Sequence, residues 1–503
     1  MFENEPDKAA FGPAGYAALI HRYDLDVVPN PHKSLVTADG VHKIVATEDG
    51  VEEIYPKKYW PGNTLGDHLE FALKYDGTNL AILAALFQKI GKEDFLSYLR
   101  SKPTGKYARR LWFLFEFLTD ETLPLDNLKQ GNYIDLLEPA EYYTVQPARR
   151  VQRQRVNDNL LGDRRFCPTI RRTEALTNFE NADMPEQCRK LVSTYSPELL
   201  KRALGYLYTK ETKSSFEIEN VNPASNRTER FVALLQRAEK EDFCGKTQLI
   251  EVQNRIVDPR FQDPDYRSTQ NYVGETVSPQ REKIHFICPK PEDLPDLMEG
   301  LISAHQRMNA GGVSPVIQAA AIAYGFVFLH PFEDGNGRIH RFMIHNILAR
   351  RGFTPEGVMF PVSASMLKNP MDYDASLEAF SRWILPLVEY SIDEDGRMIV
   401  HNETAVWYRY IDLTPQAEAL FGFIERTMNT ELAVELTFLA NYDKTKKAIQ
   451  MIVDMPDRRI DLFIRFCLQN KGRLSKRKRA GHFHFLSDAE IARMEEAVQS
   501  VFG

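Results

Sequence analysis

Residues 314–341 read SPVIQAAAIAYGFVFLHPFEDGNGRIHR, and the first half of this stretch decides the fold. Ser314 followed by Pro315 is typical of a helix start, a cap and then a first-turn proline. The residues after them are apolar nearly all round, which predicts the central helix of a core. His330 precedes a proline, which disfavours helical geometry. We therefore predict that the helix ends there and that His330 lies at a helix-to-loop boundary.

Around this helix, the sequence from about 185 to 400 reads as a succession of amphipathic helices. Apolar residues at helical spacing form one buried stripe, for example Leu294, Leu297, Met298, Leu301 and Ile302. The sequence therefore predicts a mainly α fold for this central block.

The flanking regions read differently. Residues 1–180 predict a mixed helical domain with a hairpin at VHKIVATEDGVEEIYP, and residues 401–503 predict a winged-helix-like domain of helix, basic turn with short strands, and helix. Between them, 185–400 forms the predicted helical core. The arginine-rich run at 147–173 predicts a solvated connecting segment, with a nucleic-acid contact as the alternative.

The chain has 503 residues and a formal net charge of −7, which gives no general reason to expect nucleic-acid binding. Its five cysteines lie far apart, without a CxxC pair, which favours a reduced, intracellular setting. The N-terminus has no apolar signal core, and no segment approaches the apolar length that crosses a bilayer. We expect a cytoplasmic protein without a membrane partner.

The second half of the quoted stretch carries residue types that suit a nucleoside triphosphate. Gly335, Asn336 and Gly337 can take positive-φ conformations that turn successive N–H groups toward a phosphate, and a helix N-terminus follows them. Arg338 and Arg341 are three residues apart and lie on one face of that helix, within reach of anionic oxygens.

The same loop holds a candidate base and a candidate metal ligand. Asp334 suits Mg²⁺, which prefers one or two carboxylates together with phosphate oxygens and water. His330 needs only a near-neutral pKa to accept a proton from an attacking hydroxyl. Together these residues predict phosphoryl or nucleotidyl transfer.

The stretch from His330 to Arg341 matches HxFx[D/E]GNGRxxR at every defined position and resembles the Fic family. The resemblance implies a helical Fic core and transfer of AMP from ATP to a serine, threonine or tyrosine hydroxyl of a target protein, with release of pyrophosphate. By the same resemblance His330 is the base and Asp334 holds magnesium. The backbone of residues 335–337 and Arg338 would bind the α- and β-phosphates, and Arg341 the γ-phosphate.

Two further stretches extend the resemblance. Residues 266–294 resemble the family's flap, a β-hairpin that aligns the target segment by strand pairing. The resemblance places Ile284, His285 and Phe286 near its active-site end and implies that they contact ATP. An ordinary edge hairpin would read the same way. Tyr373 resembles an adenine-side tyrosine, although Asp374 stands where the family often has a second tyrosine.

Upstream, Ser215, Glu219 and Asn220 match the family's inhibitory pattern [S/T]xxxE[G/N]. The resemblance implies that Glu219 forms a bidentate pair with Arg341 and denies that arginine to the γ-phosphate. We therefore predict an enzyme with low basal activity whose brake lies in the same chain.

Several alternatives stay open. In some relatives the inhibitory glutamate also supports removal of AMP, so a deAMPylase or a bifunctional enzyme is one alternative. Other Fic relatives transfer UMP, phosphate or phosphocholine, but they usually alter the motif. Self-modification and a homo-oligomer are further expectations.

An alternative of another class is a DNA-binding regulator. The basic stretch from Lys471 to His484 resembles the wing of a winged-helix module. Its cations are Lys476, Arg477, Lys478 and Arg479. Nucleic-acid affinity with a steep salt dependence would support this alternative.

Overall fold

The computed structural model describes residues 12–38, 40–47, 50–278 and 281–502. The fold is mainly helical with a few small sheets, as predicted. The N-terminal stretch without a signal core falls largely in residues 1–11, outside the described part. None of the described helices combines the length and the apolar content that crossing a bilayer needs.

The first part of the chain packs a small mixed sheet against helices. The strands are β1 (Pro13–Ala14), β2 (His32–Thr37), β3 (Lys43–Thr47) and β4 (Gly50–Pro56). The helices are α1 (Gly15–Tyr23), α2 (Leu65–Phe71), α3 (Leu80–Lys89), α4 (Lys92–Ser101) and α5 (Lys106–Thr119), with a 3-10 turn at Lys57–Tyr59 and a π-helical turn at Ala72–Asp76. The strand order is β1-β2-β4-β3, and the antiparallel β3–β4 pair is the predicted hairpin. Its turn, residues 48–49, lies outside the described residues.

The arginine-rich run at 147–173 is not a solvated linker, which corrects the prediction. The strands here are β5 (Ile134–Asp135), β6 (Arg149–Val151) and β7 (Val156–Asp158), in the order β5-β7-β6. Phe166 and Ile170 are fully buried. Arg171 pairs with Asp412 at 3.2 Å. The charges are tolerated because carboxylates from other parts of the chain reach them.

The central block surrounds the predicted helix with other helices. The helices before it are α6 (Glu174–Asn181), α7 (Met184–Ser193), α8 (Pro197–Glu217), α9 (Ser225–Arg237), α10 (Lys246–Ile256) and α11 (Leu294–Ala310), with 3-10 turns at Pro259–Phe261 and Pro291–Asp293 and the strands β8 (Tyr272–Ser278) and β9 (Arg281–Ile287). The central helix itself consists of α12 (Pro315–Ala319), a π-helical turn (Ala320–Tyr324) and α13 (Gly325–Leu329). It is followed by α14 (Asn336–Arg350), α15 (Val362–Lys368), α16 (Pro370–Ile384), a 3-10 turn (Leu385–Leu387), β10 (Tyr390–Ile392) and β11 (Met398–Val400).

The central helix begins and ends where the sequence predicts. Its side chains are buried almost throughout, because α11, α14 and α18 (Thr414–Arg426) pack around it. The start at Pro315 is correct, although the Ser314 side chain makes no capping hydrogen bond. His330 is the residue that terminates the helix.

The C-terminal region corrects the winged-helix prediction. Its helices are α17 (Ala405–Arg409), α18, a π-helical turn (Thr427–Leu432), α19 (Ala433–Gln450), α20 (Asp457–Leu468), α21 (Lys476–His482) and α22 (Asp488–Phe502). The predicted basic turn with strands is instead α21, because Ser475 caps it by accepting from the Lys478 N–H and good helix formers follow. Residues 401–502 contain no strand. The domain limits at 180 and 401 stay predictions.

Candidate active site

The loop after the central helix begins with a constrained histidine. His330 has a left-handed backbone, with φ of 50°. Arg267 fixes this turn: its Nε donates to the carbonyl of His330 at 2.9 Å, and its backbone N–H donates to the carbonyl of Pro331 at 2.8 Å. A non-glycine residue in this conformation is uncommon and costs free energy. The surrounding contacts therefore hold the His330 side chain in place.

The His330 ring is set up as a neutral base. Its Nδ1 lies 3.1 Å from the carbonyl of Val327, so Nδ1 carries the proton and donates, which leaves Nε2 unprotonated. Burial lowers the pKa of His330 to about 4. At neutral pH the ring can therefore accept a proton through Nε2.

The turn into α14 is built differently from the predicted nest. Gly335 has φ of 93°, whereas Asn336 and Gly337 already have helical geometry. The Asn336 side chain instead closes the loop, accepting from the N–H of Phe332 at 3.0 Å and donating to its carbonyl at 2.7 Å. Phe332 is fully buried and anchors the loop in the core. The expected run of positive-φ residues is therefore wrong for Asn336 and Gly337.

Both arginines of the motif are buried, and one glutamate joins them. The side chains of Arg338 and Arg341 are 1% and 2% exposed. Glu219 places Oε1 at 2.8 Å from Nη2 of Arg341 and Oε2 at 2.8 Å from Nε of Arg338; the second contact is an ion pair without hydrogen-bond alignment. The predicted pairing of Glu219 with Arg341 is present, but it is shared between two arginines and is not bidentate on one.

The guanidinium of Arg341 is enclosed by other groups of the same chain. It donates to Oγ of Ser215 at 3.0 Å, to the Ser215 carbonyl at 2.6 Å and to the Tyr373 hydroxyl at 3.3 Å. Burial opposes its charge, but Glu219 and Tyr373 outweigh that effect and raise the pKa of Arg341. Every side of this cation is therefore occupied.

Glu219 reaches the arginines because α8 ends two residues before it, at Glu217. Asn220 has φ of 55°, the left-handed conformation that turns the chain after a helix and that glycine and asparagine tolerate best. A Cβ on Gly337 would lie 2.3 Å from Oε1 of Glu219, so glycine at 337 allows the close approach. These contacts explain the residue types at both positions.

Asp334 is the candidate metal ligand. Its side chain is 45% exposed, and Oδ1 lies 2.5 Å from Nη2 of Arg338. The carboxylate is accessible from solvent and adjacent to the arginines, which fits the one-carboxylate, phosphate-completed coordination that Mg²⁺ prefers.

Comparison with known proteins relates part of the chain to one family. Residues 243–348 match the sequence model of the Fic/DOC family. This stretch of the chain is similar to a Fic domain. Its curated relatives include proteins named protein adenylyltransferase Fic from Culex quinquefasciatus, 37% identical over 122 residues, and protein adenylyltransferase fic-1 from Caenorhabditis elegans, 27% identical over 186 residues.

These matches are local. The Culex match covers 23% of this chain and 22% of the relative, and the nematode match covers 36% and 32%. The chain thus spans about a quarter of the length of these relatives. Among solved structures, a Fic family protein from Desulfovibrio desulfuricans G20 is 19% identical over 55% of this chain and 80% of its own, with a TM-score of 0.38.

The hairpin beside the Fic motif forms as predicted, from β8 and β9 in antiparallel pairing. Its tip, residues 279–280, lies outside the described residues. Ile284 and His285 are both half-buried, and Nε2 of His285 lies 3.5 Å from Oε1 of Glu275. Phe286 is 6% exposed and packs against Phe328 and other core aromatics. It therefore anchors the hairpin, and a contact of these residues with ATP stays a prediction.

Sequence reasoning missed the residues that support the Fic motif from elsewhere in the chain. Arg267 is not among the predicted site residues, because the sequence around it contains no motif that indicates its role. Glu211, one helical turn before Ser215, is fully buried; it accepts from the N–H of Ser363 at 2.9 Å and lies 2.8 Å from Nε2 of His345. The spacing of four residues between Glu211, Ser215 and Glu219 is that of neighbours on one helix face. This spacing could have predicted that Glu211 lies on the same side of the chain as the inhibitory residues.

Proposed function

We propose that the protein is an adenylyltransferase that transfers AMP from ATP to a serine, threonine or tyrosine hydroxyl of another protein, and that Glu219 restrains it. One observation carries the proposal: His330, with an unprotonated ring nitrogen, begins the loop that leads into α14, and two buried arginines of α14 are occupied by a carboxylate of the same chain. The name of the Fic relatives supports the same activity.

The reaction uses His330 as general base. Its Nε2 takes the proton of the target hydroxyl while that oxygen attacks the α-phosphorus of ATP. A new P–O bond forms to the target, the bond between the α-phosphorus and the bridging oxygen breaks, and pyrophosphate leaves. Arg338 and Arg341 bind the phosphates and stabilise the charge that develops on the leaving group.

Magnesium belongs to this proposal. Asp334 would hold the ion, because it is the accessible carboxylate next to the arginines. When bound, the ion supplies charge neutralisation on the phosphates. Asp334 would then exchange its pairing with Arg338 for the metal, which leaves Arg338 available to phosphate.

The restraint follows from competition for the arginines. ATP phosphates and Glu219 need the same guanidinium N–H groups, so Glu219 must move or be removed before the γ-phosphate can reach Arg341. The nucleotide would otherwise bind unproductively. The proposed contacts of Tyr373 with adenine and of the hairpin with the target segment complete the site.

The setting and partners are also proposals. The five cysteines are buried and unpaired, which supports a reducing cytoplasmic compartment. A protein target is required, and self-modification and homo-oligomer formation are compatible with the proposal.

The test compares wild type, Glu219→Gly, and Glu219→Gly with His330→Ala, each incubated with magnesium and α-labelled ATP and then with cell extract. We expect AMP adducts, a mass increase on a protein, with Glu219→Gly and none when His330→Ala is added. Absence of adducts with Glu219→Gly, or their persistence with His330→Ala, would overturn the proposal. Loss of AMP from a modified protein in the wild type would favour deAMPylation.

A further inference from the structure

An arginine outside the Fic motif lies beside the arginines of the motif. Arg227 is the third residue of α9 and is half-buried. Its Nη2 donates to the carbonyl of Ile256 at 3.0 Å, and Nη1 of Arg338 approaches the same oxygen at 3.4 Å. Both guanidinium groups also lie 5.3 Å from the ring centroid of Phe216. Two cations therefore share one carbonyl and one aromatic ring.

Arg227 differs from the motif arginines in having no direct ion-pair partner among the described residues. Arg338 pairs with Asp334 and Glu219, and Arg341 pairs with Glu219. Within the part of the chain that the structure describes, no carboxylate lies within ion-pair distance of Arg227, and its Nε is buried without a hydrogen-bond partner. One cation of the cluster thus lacks a carboxylate in direct contact.

Three physical effects oppose a cation at this position. The N-terminus of α9 carries the positive end of the helix dipole, and its first turn has no acidic residue. Burial and the charge of Arg338 lower the pKa of Arg227, and the attraction of Asp258 and Asp334 does not offset them. The buried Nε–H has lost water without gaining an acceptor. Proteins keep such unfavourable arrangements at sites where a ligand relieves them, and an anion would relieve all three.

We propose that Arg227 is a third arginine of the polyphosphate site and contacts the terminal phosphates of the nucleotide beside Arg338. This inference rests on the proposed adenylyltransferase function. The planar guanidinium of Arg227 has N–H groups to spare, since the described contacts use only Nη2, and such a fork suits phosphate oxygens. Arg227 would bind substrate and leaving group, and would take no proton.

The experiment measures affinities for magnesium-ATP and for adenosine by calorimetry in the Glu219→Gly background. Arg227→Gln should weaken ATP binding roughly tenfold, the loss of one charge-assisted contact, and leave adenosine binding unchanged. Arg227→Lys should recover part of the loss. The matched control is Arg237→Gln, the same charge change about 15 Å away at the other end of α9, which should alter neither affinity.

Stability separates a binding role from a structural one. Without nucleotide, Arg227→Gln should have a Tm equal to or above that of its parent, because an unpaired cation beside Arg338 is removed. Unchanged ATP affinity, an equal loss of ATP and adenosine affinity, or a lowered Tm in Arg227→Gln would each overturn the inference. If the Glu219→Gly parent binds no ATP at all, the proposed function fails first and the role of Arg227 fails with it.

Discussion

Two groups of basic residues, both visible in the sequence, have opposite surroundings. Arg338 and Arg341 are almost completely buried and are held by carboxylates and carbonyls of the same chain. The cations of α21 lie at the surface, where Arg479 pairs with Asp488 and Lys478 stands over the ring of Phe466. The difference is one of solvation, since water can replace the partners of an exposed cation and cannot replace those of a buried one.

The degree of solvation distinguishes an exposed run of charged residues, such as that of α21, from the buried charged residues of the candidate site. A buried arginine without its carboxylate is costly, so the pairing with Glu219 stabilises the resting protein, and in the proposed enzyme it would also block the phosphates. The α21 cations carry no comparable constraint. Changes at the motif should therefore have large effects, and changes in α21 small ones.

The largest effect is expected at His330. His330→Ala in the Glu219→Gly background should slow AMP transfer by about 10²–10⁴-fold, the usual contribution of a general base. The initial rate of adduct formation with labelled ATP measures it. His484→Ala, which changes an exposed histidine of the C-terminal region, is the control for loss of an imidazole. A His330→Ala rate within twofold of its parent would contradict the assigned base.

A smaller effect is expected on stability at Glu219. Glu219→Gln removes the charge that two buried arginines share, so the free energy of unfolding should fall by about 1–3 kcal/mol. Glu217→Gln, the same change at an exposed position two residues earlier, should stay within about 0.5 kcal/mol of wild type. Urea denaturation measures both. Equal free energies of unfolding for the two variants would contradict the claim that the Glu219 charge stabilises the protein more than an exposed charge does.

The pH dependence is expected to be shallow. Because burial lowers the pKa of His330 to about 4, the ring stays neutral as pH falls from 8 to 6 and is protonated only as pH falls through about 4. The kcat/KM of Glu219→Gly should therefore be nearly flat between pH 8 and 6. An unshifted histidine would lose roughly three-quarters of its neutral form by pH 6. Magnesium is kept saturating at every pH as the control. A decrease in kcat/KM of that size under these conditions would contradict the low pKa.

The smallest effect is expected in α21. Replacing Lys476, Arg477, Lys478 and Arg479 by glutamine should change the free energy of unfolding by less than about 1 kcal/mol and leave AMP transfer unchanged. Binding of duplex DNA at several salt concentrations tests the alternative. A steep salt dependence in the wild type that disappears in the variant would revive the DNA-binding regulator.

Local sequence patterns predict much of the candidate site, but they predict few of the contacts that hold its residues in place. The central helix, its end at His330 and the position of Glu219 follow from apolar periodicity, a proline and short motifs. The sharing of Glu219 between two arginines, the anchoring by Arg267 and the contact of Arg227 with Ile256 depend on how distant helices pack, which no local pattern encodes. The predicted wing failed for a different reason, because a serine cap and helix-forming lysines outweighed the appearance of a basic turn.

The central claim is that Glu219 restrains transfer by occupying Arg341. Its most direct test is the rate of AMP transfer in four proteins: wild type, Glu219→Gly, Arg341→Ala and the double variant. The account predicts that Glu219→Gly speeds transfer by at least about tenfold when Arg341 is present and has little effect when it is absent, because the two residues act as one unit. An activation of the same size in both backgrounds would contradict it.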